Sequence, residues 1–116
     1  MNSNLIIYHH PRCRKSREGL QYLVDHKIPH QVVEYMKTPL SLSDLKNILL
    51  KLNKKPSEIV RNQETIFKKE LKGRQFTDDE WIKIIIENPP LLVRPIVVAK
   101  HKAVIAIPPD KIAGLL

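Results

Sequence analysis

Apolar and polar positions along the chain change period several times, and each change marks an element. Leu5-Ile6-Ile7-Tyr8 is a short apolar run that stops at His9-His10-Pro11, which predicts a buried strand. Beyond Cys13 the spacing becomes helical, with Leu20, Leu23 and Val24 on one predicted apolar face and Pro29 after its end. Gln31-Val32-Val33-Glu34-Tyr35 predicts a second strand. Strand, helix and strand in so short a span imply a parallel pair joined by a crossover helix.

The middle of the chain is helical. Ser41 is a predicted N-cap with Asp44 three residues on, and Leu42, Leu45, Ile48, Leu49 and Leu52 form one stripe. Pro56 opens a short helix toward Val60 and Arg61. Glu64–Leu71 is helical but weakly amphipathic, and Gly73 breaks it. Thr77-Asp78-Asp79-Glu80 is a capping box ahead of Trp81, Ile82, Ile85 and Ile86, and Asn88-Pro89-Pro90 ends that helix. Ile96-Val97-Val98 and Ala103-Val104-Ile105-Ala106 then predict a hairpin across Lys100-His101-Lys102, followed by a short helix after Pro108-Pro109. The order βαβ, helical insertion at about 41–90, ββα predicts an α/β fold with one small mixed sheet in a single domain, 1–116.

Composition bounds what such a domain can do. The chain has 116 residues, of which 42% are hydrophobic, enough for a core. No apolar run approaches the ~18 residues of a membrane span, and Met1-Asn2-Ser3-Asn4 lacks the features of a signal peptide, so a cytoplasmic location and no membrane partner are expected. A single cysteine excludes an intrachain disulfide and a Cys-rich metal centre. Any redox cycle at Cys13 must therefore borrow its second thiol. His26, His30 and His101 have no metal-ligand spacing and are read as surface residues, so no metal and no bound cofactor are expected. The net charge of +8 points to anionic partners.

The chemistry concentrates in Tyr8-His9-His10-Pro11-Arg12-Cys13-Arg14-Lys15-Ser16-Arg17, where the first strand hands over to the first helix. Ligands of open α/β sheets bind at such strand ends, and a helix N-terminus favours an anion. Cys13 is so placed, and Arg12, Arg14, Lys15 and Arg17, with His9, are expected to lower its thiol pKa. The Ser16 hydroxyl is expected on the sulfur or on a bound oxyanion. A local cluster of this kind favours a small oxyanion over nucleic acid.

Taken together, these motifs resemble the glutaredoxin-dependent arsenate reductase family, whose fold is thioredoxin-like. The resemblance covers nearly the whole chain. It is carried by the Cys13 loop, by Glu34-Tyr35-Met36-Lys37-Thr38-Pro39, by Thr77-Asp78-Asp79-Glu80, by Asn88-Pro89 and by Arg94-Pro95-Ile96-Val97-Val98. It implies that Cys13 attacks arsenate and that glutathione and glutaredoxin serve as external reductants. It implies that His9 depresses the thiol pKa, that Ser16 is the neighbouring hydroxyl, and that Arg61 and Arg94 hold the oxyanion. It also implies that Pro95 is a cis-proline facing the cysteine. Arg14, Lys15 and Arg17 are further candidates for binding substrate. Two positions depart from the pattern: His10 replaces an asparagine, and Ile107 stands where a third arginine belongs. Two other functions share this sequence pattern. One is an Spx-type regulator that binds RNA polymerase, where Ser16 replaces the second thiol of a Cys-x-x-Cys switch. The other is a protein that forms a mixed disulfide with glutathione and reduces no arsenate.

Overall fold

The computed structural model describes residues 4–116 and divides the chain into two compact units. The first combines the chain up to Thr38 with Arg94–Leu116, and the second is Pro39–Val93.

The first unit is a four-stranded mixed sheet in the order β2-β1-β3-β4. Strand β1 (Leu5–His9) pairs in parallel with β2 (His30–Glu34) and antiparallel with β3 (Ile96–Val98), which pairs antiparallel with β4 (Ala103–Ile105). Helix α1 (Arg14–Asp25) forms the parallel crossover. Leu5 and Ile7, two apart on β1, share a face. They join Leu23 of α1, Val97, Ala106 and Ile112 in one fully buried cluster. Ile112 comes from the closing segment Pro109–Leu115, a 3-10 helix.

Two local expectations shift here. β1 runs one residue further than expected, so that His9 pairs with Glu34, and β2 begins at His30 and ends before Tyr35. Tyr35 is nonetheless buried. On α1, Val24 is 53% exposed, and the buried positions are Ser16, Gly19 and Leu23. The apolar periodicity pointed to Val24 because it cannot register small residues that let a helix approach closely. A Cβ on Gly19 would lie 2.7 Å from Pro95 Cγ, so the hydrogen at this position is what seats α1 against the Arg94–Pro95 turn.

The second unit is helical. Helix α2 (Leu42–Leu52) and helix α3 (Asp78–Glu87) both start with complete capping boxes, Ser41 with Asp44 and Thr77 with Glu80. Leu45, Ile48, Leu49, Trp81, Ile82 and Ile85 are buried. Leu42 departs from the expected stripe and is 53% exposed, while the buried positions of α2 are Leu45, Ile48 and Leu49. Between the helices, Pro56–Ile59 is a 3-10 turn and Phe67–Leu71 a π-helical turn. Val60 bridges Leu92, with the Arg61 N–H donating to Leu91 O at 2.7 Å and the Val93 N–H to Ile59 O at 3.0 Å. This short ladder fixes the backbone of Arg61.

Candidate active site

Cys13 is the N-cap of α1. Its extended backbone (φ −92°, ψ 123°) lets its carbonyl accept from the Arg17 N–H at 3.0 Å, while its own N–H donates to His10 O at 3.0 Å. The side chain is half-buried. Burial pushes the thiol pKa up, but hydrogen bonds from the backbone N–H of Ser16, from the Arg94 side chain and from the backbone N–H of Lys15, together with the Arg94 charge, outweigh it. The thiol therefore titrates below its ordinary value. Free N–H groups at the start of a helix point outward along its axis, so a sulfur at the N-cap receives them without a specialised loop.

Arg94 enters from the other end of the first unit's sequence, immediately before β3. Its peptide bond to Pro95 is cis, in agreement with the resemblance, and the Ile107–Pro108 bond is cis as well. Pro95 is buried against Gly19. The residue that stabilises the sulfur is thus anchored through its neighbour to the helix that carries the sulfur.

His9 and Ser16 form a buried pair beneath this turn. Ser16 is fully buried and His9 is 5% exposed. His9 Nδ1 and Ser16 Oγ lie 2.8 Å apart, and the His10 N–H donates to the same hydroxyl at 2.9 Å. The sequence placed that hydroxyl on the sulfur or on an oxyanion. The correction is that it ties β1 to α1, and the Ser16 group that reaches Cys13 is the backbone N–H. Burial lowers the His9 pKa, reinforced by Arg17 and opposed by Glu34 and the Ser16 hydrogen bond. A neutral imidazole at pH 7 puts no cation beside the thiol, and the contact that His9 makes here is with Ser16.

The local cations also need correction. Arg12, Arg14, Lys15 and Arg17 are all exposed. Arg14 pairs with Glu18 at 3.3 Å, and Arg17 donates to Pro11 O at 3.0 Å. Solvent screens charges held this way, whereas Arg94 is half-buried and hydrogen-bonded to the sulfur. Lys15 contributes its N–H, and its side chain lines a cleft of about 220 Å³ with Glu18, Ala106, Ile107, Pro108 and Pro109. Ile107 thus lines an apolar recess at the place where the resemblance calls for arginine. Arg61 belongs to the second unit, where it meets Glu64 at 3.2 Å. Periodicity gave no sign of Gly19, Glu34 or Tyr35, whose ring meets His10 edge-on at 6.4 Å. Among the described residues, no three His, Cys, Asp or Glu side chains come together as metal ligands.

Comparison with known proteins identifies the family and the fold. The ArsC family model matches residues 8–115. The arsenate reductase of Neisseria meningitidis serogroup B is 37% identical over 112 residues, covering 95% of this chain and 96% of that protein. A solved structure, the arsenate reductase from Vibrio cholerae, superposes with a TM-score of 0.92 at 33% identity over the whole of both chains. The global transcriptional regulator Spx of Enterococcus faecalis is 26% identical over 113 residues, covering 97% of this chain and 86% of that protein. The fold is therefore the thioredoxin-like α/β arrangement of these reductases, and the chain belongs to the ArsC family.

Proposed function

We propose that this chain is a thiol-dependent arsenate reductase in which Cys13 is the nucleophile. The observation that carries the proposal is the half-buried sulfur at the start of α1, with Arg94 and two backbone N–H groups hydrogen-bonded to it. These donors favour the thiolate over the thiol, and they present the positive potential that a tetrahedral oxyanion needs. The thiolate attacks arsenic and water leaves, giving an S–As(V) adduct. Two external thiols supply the two electrons that convert As(V) to As(III) and end as a disulfide, and water then cleaves the remaining S–As(III) bond, releasing arsenite and returning Cys13 as the free thiol. Glutathione and glutaredoxin fit that role, because the chain has no second cysteine. A thiol that must stay reduced between turnovers suits the cytoplasm. His9 and Ser16 hold the turn. Arg94 binds the oxyanion, and the assignment of Arg61, Arg14, Lys15 and Arg17 to substrate rests on the resemblance.

The test is arsenite formation from arsenate with glutathione and glutaredoxin. The native chain is expected to turn over and Cys13→Ser to fall to background. Failure of the native chain, with activity appearing in Ile107→Arg, would replace this reading by that of a glutathione-binding thiol protein. The likeness to Spx supports a regulatory reading less well. The second position of its Cys-x-x-Cys switch is Ser16 here, and that hydroxyl is engaged with His9 and His10. Recovery of an RNA polymerase subunit on the immobilised chain would favour regulation instead.

A further inference from the structure

The second unit carries a cleft of about 480 Å³ whose lining includes none of the residues around the thiol. Its floor is apolar, made of Leu49, Leu50, Pro56 and Ile82, and its rim carries Lys46, Lys54 and Lys55. Leu50 is 81% exposed, the highest value for a large apolar side chain among the described residues. Lys46, Leu50 and Asn53 recur at four- and three-residue spacing on α2, so they share the outward face, as does the half-exposed Leu42. Asn53 ends the helix in the left-handed conformation (φ 57°) and turns the chain so that Lys54 and Lys55 continue the rim. Asp78 is the one acid in the lining, against three lysines. No carboxylate among the described ion pairs meets Lys46, Lys54 or Lys55.

We infer that this cleft is a docking groove for an acidic amphipathic segment of a partner protein, with an apolar anchor seated on Leu50 and carboxylates facing the lysine rim. Charge complementarity selects the partner. A second copy of the chain, packed by two-fold symmetry, would bring lysine rim against lysine rim. A free phosphate or nucleotide is disfavoured because the α2 end at this cleft is its C-terminus, the negative pole of the helix, and Asp78 already occupies the start of α3. An exposed leucine beside unpaired lysines fits neither a solvated face nor a simple anion site. It fits a helix laid in a groove, with apolar residues inward and acidic residues at the edges. The inference does not depend on the activity of Cys13.

The test uses the full chain and a dye-labelled synthetic helix with leucines three and four apart among glutamates, followed by fluorescence anisotropy and amide chemical-shift mapping. Binding is expected to weaken with salt and to perturb amides confined to the α2 C-terminal half, Lys54–Lys55 and the start of α3. Leu50→Glu and the double change Lys54→Glu with Lys55→Glu should each weaken it by about tenfold or more. Both sites are exposed, and an unchanged Cys13 alkylation rate checks that the variants remain folded. Four results would overturn the inference. These are no binding by the native chain, equal binding of a matched helix with lysine in place of glutamate, displacement of the peptide by ATP, and a concentration-dependent dimer that Leu50→Glu abolishes.

Discussion

Removing Arg94 strips the Cys13 sulfur of one charged hydrogen-bond donor and leaves the Ser16 and Lys15 N–H groups in place. In Arg94→Ala the thiol pKa is expected to rise, and the midpoint of the pH dependence of alkylation moves up with it. A charged hydrogen bond contributes about 1.5–3 kcal/mol, so arsenate reduction should fall roughly ten- to hundred-fold. Ser16→Ala behaves oppositely. It removes a buried hydroxyl from His9 and His10 but keeps the backbone N–H that reaches the sulfur. The expected result is a loss of about 1–3 kcal/mol in urea unfolding, with the alkylation midpoint nearly unchanged. His9 adds a pH dependence of known sign. Its folded pKa lies below the ordinary 6.5, so the unfolded chain takes up the proton first as pH falls. The stability contributed by its neutral form is present above about pH 6.5 and is lost as pH falls below it. Urea midpoints measured from neutrality down to about pH 5 should drop, and the drop should be smaller in His9→Gln.

Packing between elements decides how accurately the sulfur and Arg94 meet. Helix α1 turns a small face toward the sheet, Ser16 and Gly19, with Leu23 one turn further on. Gly19→Ala gains about 1 kcal/mol in helix propensity. It also places a carbon 2.7 Å from a proline ring that is tied to the backbone and cannot rotate away. Such overpacking costs roughly 1–3 kcal/mol, so the net effect is expected to be destabilising. The strain falls on Pro95, beside Arg94. Gly19→Ala should therefore lower arsenate reduction more than an equally destabilising change at the Ser41 cap, which lies in the other unit. Urea unfolding and steady-state rates on the two variants separate the effects.

Over the whole molecule the charge of +8 acts at long range, but exposed charges are screened beyond about 8 Å at physiological salt. Phosphate contacts made by scattered lysines carry a steep salt dependence. Binding to duplex DNA is expected to be measurable at low salt and gone near 0.15 M salt, about physiological strength, as titration by anisotropy would check. An affinity that persisted there would require an organised nucleic-acid surface. No helix among the described residues is long and apolar enough to cross a membrane.

The sequence by itself determined the element order, the N-cap at Ser41 and the capping box at Thr77, the parallel pairing of the first two strands and the place of Cys13 at the head of a helix. All of these rest on local spacing and on groups a few residues apart. It could not say which cations matter. Arg12, Arg14, Lys15 and Arg17 are nearest to Cys13 along the chain yet face solvent, whereas Arg94, eighty-one residues away by numbering, donates to the sulfur. Nor could it see that the Ser16 hydroxyl turns inward to His9, or that Gly19 is small because Pro95 lies against it. Those facts depend on burial and on contacts between distant segments, which set dielectric and donor geometry. Only the tertiary structure decides these.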